Sequence, residues 1–553
     1  MDSNMYNDDA YIMIECEVYF EPYYHVLKAL QDPSFPEHLS MSKYIIDLQV
    51  IPEKPAYLTP ESVYKVQTKH HDISKVFTVL QDDTWPSDVE LGLNSTQYEA
   101  YKLALTHEFA VIQGPPGTGK TFLGVKVAEI LLRNAPFPKD KCCMLVICYT
   151  NHALDQFLEA LLPLTHSLAR IGGRSRNETL HKFNINNLRR SQTNSDYYHE
   201  RRISLKMQIN ALEHEKSRAD ELNLGVLSYK TVAMNLQSSA VAYEEARMMV
   251  DLAVLKETRV VGMTTSGAAR LRKLLVAIAP PIVVVEEAAE VLESHIVTSL
   301  TKNCQHLILI GDHQQLRPSA AYLRLARYYQ LEVSLFERMI RNGVHSRRLG
   351  VQHRMRPEIA ALVSPHIYTD LQNHRSVEDF PPVRGVAHNL FFFSHDYREQ
   401  VSSSRTNTQE ADLVLRLANY LMQQDYAPEE VTILAAYSGQ MFYMRKQRPY
   451  YANLSNVKIT VLDNYQGEES KIILLSLVRN NDNDNIGFLG TENRICVALS
   501  RAREGLFIFG NIELLKGKSV LWSNIATTLE RNGSLGTSLR LRCENHREEI
   551  TMV

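Results

Sequence analysis

A chain of 553 residues, 44% hydrophobic and 22% charged, is too long for one hydrophobic core and too apolar for disorder, so three or four packed units are expected. Its 60 basic and 63 acidic residues leave a net charge of −3, so a polyanion would have to be met by a local basic groove. The acidic first residues lack the apolar core of a secretory signal, and the longest apolar run, Leu274 to Val285, is broken by Pro280 and Pro281 and too short to span a bilayer.

Residues 1–90 read as an accessory region. Phe20, Tyr23, Tyr24, Leu27 and Leu30 recur at helical spacing, and Lys43 to Val50 and Tyr64 to Thr68 are expected to be short strands between proline-marked turns. A first α/β domain is expected over 91–325. Gln97, at the start of a short helix, carries a donor and an acceptor on one amide and can read the edge of a base. Apolar Phe109 to Ile112 then run into Gln113-Gly114-Pro115-Pro116-Gly117-Thr118-Gly119-Lys120-Thr121, followed by helical spacing through Leu132. Strand, glycine-rich loop and helix together form a phosphate cradle: loop amides and the helix N-terminus face the anion, Lys120 reaches the β- and γ-phosphates, and Thr121 holds magnesium. A plain Gly/Pro turn would leave Lys-Thr and both flanking elements as coincidence.

Cys142 to Tyr149 reads as a strand buried on both faces, ending in Thr150-Asn151, and Thr258 to Gly262 as another, leading to Thr264-Thr265-Ser266. Hydroxyls and amides at such tips suit phosphodiester contacts, with helix capping as the competing role. Between them, about 180–256 reads as an inserted helical pair whose Arg189, Arg190, Arg201 and Arg202 either track a nucleic-acid backbone or form a solvated face. Ile282 to Val285 delivers Glu286-Glu287 at a strand mouth, one acid for magnesium and its neighbour to accept a proton from water. Leu307 to Ile310 leads to Gly311-Asp312-His313-Gln314-Gln315, where Gln315 senses the γ-phosphate or orients water.

A second domain is expected over 326–515, containing Gln352-His353-Arg354-Met355, a strand at 431–436 ending in Tyr437-Ser438, then Gln466-Gly467-Glu468-Glu469 and Ser500-Arg501-Ala502-Arg503. It has no second phosphate cradle, so it contributes side chains: Arg354 and Arg501, carried across the cleft, neutralise charge developing on the γ-phosphate. Residues 516–553 read as a tail. The seven cysteines form no CxxC pairs, which favours a reduced intracellular chain, cytoplasmic with the nucleus as the alternative; Cys543 with His546 is either an ordinary tail or the edge of a zinc module.

Six motifs in this order over 91–515 resemble the superfamily 1 helicases, more narrowly the group of the nonsense-mediated-decay helicase and senataxin. Glu286 to Glu290 and Glu17 to Leu27 resemble the NFX-type zinc-finger-containing members. The resemblance implies two RecA-like parallel-sheet domains in tandem, with ATP and Mg2+ between them and single-stranded nucleic acid across the top. It implies Gln97 as adenine reader, Glu287 as activator of water, His353 where a tyrosine commonly stacks on adenine, and nucleotide contacts from Gln466 and Glu469. It also implies strand contacts from Thr150, Asn151, Thr264, Thr265, Tyr437 and Ser438. Glu286 stands in for the usual aspartate and Cys496 for the usual asparagine. The implied substrate is single-stranded RNA, with DNA as the other candidate, and protein partners in RNA-processing or silencing complexes, in surveillance or antiviral settings. The competing expectations are a nucleotide-gated RNA clamp that does not unwind and a P-loop switch indifferent to nucleic acid.

Overall fold

Short aliphatic runs with polar tips assemble here into two parallel sheets. This computed structural model describes residues 21–551 except 70–73, 139–140, 174, 176, 192–195, 222–225, 320–322, 402–403 and 543–548; Glu17 to Phe20, Cys16, Cys543 and His546 lie outside the described residues. A hairpin of β1 (Val63–Gln67) and β2 (Ser74–Thr78) precedes the first sheet. That sheet contains β3 (Phe109–Gln113), β4 (Met144–Cys148), β5 (Leu168–Ile171), β6 (Val260–Thr264), β7 (Ile282–Glu286), β8 (His306–Gly311) and β9 (Ser346–Arg348). Their spatial order is β5-β6-β4-β7-β8-β3-β9, with every pair parallel. The second contains β10 (Leu390–Ser394), β11 (Val431–Ala435), β12 (Lys458–Val461), β13 (Ser470–Ser476), β14 (Ala502–Gly510) and β15 (Leu535–Gly536), in the order β12-β11-β13-β14-β10-β15 and again all parallel.

Parallel sheets are covered on both faces, which is why these strands are apolar throughout. Ile112, Val146, Val284 and Ile308 face one core of the first sheet, and Val111, Ile147, Val285 and Leu309 the other. Phe392, Leu434, Ile473 and Ile508 divide in the same way from Phe391, Ile433, Leu474 and Phe507 in the second. After β3 the chain runs through the helix Lys120–Asn134 and returns as β4 beyond β7 and β8. The polar tips of β3, β4, β6, β7 and β8 thereby share the carboxyl edge of one sheet, where such sheets bind ligands.

Three sequence expectations are corrected. Lys43 to Val50 is no strand: Ser42–Ile45 is a helical turn, bracketed by left-handed Met41 and Leu48, with Tyr44 and Ile45 buried and Ile46 and Val50 exposed. The alternation of apolar residues there does not follow burial. Tyr44 stacks on Phe109 at 5.3 Å and donates to Glu108 at 2.7 Å, and Leu58, Tyr64 and Phe77 join the core of Ile112, so the accessory region is fused to the first domain. The first sheet does not end at 325: β9 pairs with β3, and Leu335, Phe336 and Met339 lie in its core. Nor does the stretch read as a tail begin outside the second domain: Trp522, Ile525 and Leu529 are buried in the second core, the Trp522 indole donates to Leu489 O at 2.9 Å, and β15 extends the sheet.

The inserted helices Asp196–Glu221 and Val226–Lys256 pack side by side, as the unbroken polar spacing predicts. Arg189 pairs with Asp251 there, whereas Arg201 is exposed. Among the described residues no helix is long and apolar enough to cross a membrane, and no three or more His, Cys, Asp or Glu side chains gather as a metal-ligand cluster.

Candidate nucleotide site and nucleic-acid groove

The loop after β3 is shaped by its glycines. Gly117 sits at φ +73°, a conformation that L side chains rarely adopt, and a Cβ there would lie 2.6 Å from Arg354 Cβ. The second lobe therefore rests directly on the loop. Lys120, opening the helix, donates to Gly114 O at 3.0 Å and lies 3.8 Å from Glu287, while Thr118 Oγ1 closes the turn on Pro115 O at 2.7 Å. Gln97 is the third residue of the helix Ser95–Thr106: its amide oxygen accepts from Asn94 N in a capping box, and its nitrogen donates to Thr118 O at 3.0 Å. Both halves of the amide thus hold the protein's own backbone.

Glu286 ends β7 buried, one oxygen accepting from Thr121 Oγ1 at 2.6 Å and the other without a partner among the described residues. Burial and the neighbouring Glu287 push its carboxyl up to about 7. An orphaned carboxylate oxygen beside a hydroxyl is a hard-oxygen donor set of the kind magnesium prefers, so the residues fit the ion. Glu287 departs from strand geometry, at φ +53°, and its side chain lines the cleft opposite Lys120.

The loop after β8 is gripped by the other lobe. Gln315 donates to Asp312 at 2.8 Å and accepts from Arg501 Nη2 at 2.9 Å. Asp312 also accepts from Tyr368 Oη at 2.6 Å, and that hydroxyl lies 3.2 Å from Cys496 Sγ, so the cysteine completes a buried polar chain. Arg501, 1% exposed, further donates to Val497 O and Ser500 Oγ; burial and Arg354 lower its guanidinium to about 10. Arg354 pairs with Glu469 and donates to Ser500 O at 3.1 Å. Pro115, Gly117, Thr118, Gly119, Lys120, Thr121, Glu287 and Gln315 from one lobe line the same cleft of about 840 Å³ as His353, Arg354, Glu469 and Arg501 from the other. His353 lies 4.1 Å from His374 ring to ring. Sequence reasoning overlooked Arg503, which lines the cleft and was legible in the Ser-Arg-Ala-Arg run. It also overlooked Tyr368, a lone tyrosine in a loop that carries no signal.

Gln466 lies outside this cleft, in an adjoining groove shared with Thr150, Tyr149, Glu290 and Asp463. Thr150 and Thr264 cap helices, accepting from Ala153 N and Gly267 N. Asn151 is turned to Arg170, a fully buried arginine also bound to Asp155. Thr265 is buried at the rim of a neighbouring hollow. Tyr437 packs on Phe488 at 4.2 Å and Ser438 donates to Ser404, so this pair is not brought to the groove beside Thr150. The groove arginines Arg317 and Arg494 pair with Glu337 and Asp463, and the surface between them is not a basic stripe.

Two family models, each described as an AAA domain, match residues 92–321 and 331–513. NFX1-type zinc finger-containing protein 1 of Mus musculus is 33% identical over 99% of this chain and 40% of that protein. Helicase required for RNAi-mediated heterochromatin assembly 1 of Schizosaccharomyces pombe is 28% identical, over 94% of this chain and 67% of that protein. Regulator of nonsense transcripts 1 of Dictyostelium discoideum is 29% identical, over 80% and 32%. The chain thus spans about two fifths of the NFX1-type relatives. Among solved structures, an arterivirus nonstructural protein 10 helicase aligns over 85% of this chain and 75% of that one, with a TM-score of 0.37 and 12% identity.

Proposed function

Because the chain belongs to the superfamily 1 helicases, in the group of the nonsense-transcript regulators and NFX1-type zinc finger proteins, we propose that it hydrolyses ATP between its two lobes and couples the cycle to movement along single-stranded RNA. The observation that carries this is one cleft lined by Lys120 and Glu287 from the first lobe and by Arg354 and Arg501 from the second.

The phosphates fit the loop amides, and Lys120 exchanges Gly114 O for them. Thr121 and Glu286 would hold magnesium, which neutralises charge on the phosphates when bound. Glu287 accepts the proton of the attacking water, and Gln315 orients that water. Arg501 leaves Gln315, and Arg354 leaves Glu469, for the γ-phosphate; contacts made in only one state shift the lobes toward closure. The strand runs along the carboxyl-edge tips at Thr150, Asn151, Thr264 and Thr265. Gln97 and His353 bound the adenine side, with Gln97 giving up Thr118 O or bracing the loop from behind.

RNA is preferred over DNA because relatives are named for RNAi and nonsense transcripts, which favours work among RNA-processing or silencing complexes, in the cytoplasm or the nucleus. A second reading, a nucleotide-gated RNA clamp, is favoured by groove arginines already spent on internal pairs. ATP turnover is measured with matched single-stranded RNA and DNA over a salt series, then strand displacement on a tailed duplex. Stimulation by RNA with displacement supports the motor, and stimulation without displacement the clamp. Lys120→Ala should lose at least a hundredfold in turnover; normal turnover in that variant refutes the site.

A further inference from the structure

Beside the groove lies a hollow of about 450 Å³ that the ATP cycle does not use, bounded by Tyr23, Tyr149, Thr265, Glu290 and His295. Two of its polar groups are unspent. His295, 7% exposed, has a buried Nδ1 with no hydrogen-bond partner among the described residues. Glu290, 8% exposed, lines both the hollow and the groove, and its carboxyl has no hydrogen bond or ion pair among the described residues. Polar groups at that depth are normally satisfied, so two such side chains in the walls of one cavity mark a place for a ligand. Burial, Glu287 and Asp463 push the Glu290 carboxyl up to about 8, and burial lowers His295, so both side chains present hydrogen-bonding groups without full charge near neutrality.

The remaining walls are aromatic. Tyr149, at the tip of β4, is 45% exposed. Tyr23, from the helix Glu21–Leu30, stands edge-on to His295 at 5.8 Å, and that helix packs on the one opened by Thr265. Burial, with Glu290 and Tyr23 nearby, raises the Tyr149 phenol, and all three side chains line the hollow. An open ring beside unspent donors and acceptors complements a flat molecule with a π-face and a hydrogen-bonding edge.

We propose that this hollow receives one unstacked nucleobase of the bound strand, its ring on Tyr149, its outer side closed by Tyr23, and its polar edge on Glu290 and His295. The proposal rests on the single-strand motor reading and deepens it: the accessory helix completes a base contact beside the groove.

The test is fluorescence anisotropy with labelled oligouridylate and with the same ribose-phosphate chain made abasic at its centre. The wild-type protein should bind the base-bearing strand about tenfold more tightly, the scale of one stacked base. Tyr149→Ala and Glu290→Leu should weaken the oligouridylate alone and so erase the difference. Tyr149→Phe and Glu290→Gln, which keep the ring and the donor-acceptor pair, should retain it. Equal wild-type affinity for both strands, or an equal loss on both in Tyr149→Ala, overturns the base site while leaving the motor reading intact. Failure of the wild-type protein to bind either strand overturns both.

Discussion

Arg354 separates catalysis from stability. Its side chain is 13% exposed and makes two resting contacts, the pair with Glu469, itself 41% exposed, and the bond to Ser500 O. A half-exposed ion pair contributes about 0–1 kcal/mol and a charged hydrogen bond about 1.5–3, so Arg354→Ala should cost the fold about 2 kcal/mol and the melting temperature a few degrees. An arginine placed on a transferring phosphoryl group is worth about 10³–10⁵ in rate, or roughly 4–7 kcal/mol. The second figure exceeds the first. At 25 °C the variant should therefore be folded yet turn over ATP at least a thousandfold more slowly, with Arg354→Lys in between because it keeps the charge and loses the fork. Phosphate release at saturating ATP, read beside thermal unfolding, decides it. A folded variant within tenfold of wild type would refute the placement of this arginine on the γ-phosphate.

Gly117→Ala combines left-handed strain, about 1 kcal/mol, with a Cβ 2.6 Å from Arg354 Cβ, so it should lower turnover at least tenfold at saturating ATP by forcing the lobes apart. Arg170→Met leaves Asp155 buried without its cation and Asn151 unmoored; chemical unfolding should show a loss of about 3–5 kcal/mol, and anisotropy a weaker strand complex. His306 is fully buried, its Nδ1 2.7 Å from the Tyr57 hydroxyl, and burial lowers it to about 3. The unfolded chain binds this proton first, near pH 6.5, so the group costs stability as pH falls from about 6.5 toward 3 and adds nothing above that window. Between pH 7 and 5 the loss is about 2 kcal/mol, and urea unfolding of His306→Gln should show that much less acid sensitivity.

The cradle and the acid pair were legible because their chemistry demands particular residues in sequence: Lys120 and Thr121 must follow the glycines, and Glu286-Glu287 must close a strand. The helical insertion was legible from length and polarity alone. Contacts made across the fold were not. Nothing local announces that Tyr368 meets Asp312, or that Gln97 is occupied on both sides by backbone. β9, three residues long and half-buried, carries too little periodicity to declare its sheet, and only pairing with β3 reveals it. At Lys43 to Val50 the pattern misled because left-handed Met41 and Leu48 break the extended chain, a choice set by Tyr44 packing on Phe109.

β9 also bounds how far the machine can travel. It is the last strand of the first sheet, and Arg354 follows its final residue, Arg348, by only six positions. Leu349 N is tied to Gln113 O and His353 N to Gly117 O, both at 2.8 Å. Six residues reach about 20 Å at full stretch, and these stitches shorten that leash. The second lobe is thus tethered at the rim of the phosphate loop, so any swing of that lobe pivots there and keeps Arg354 near the loop.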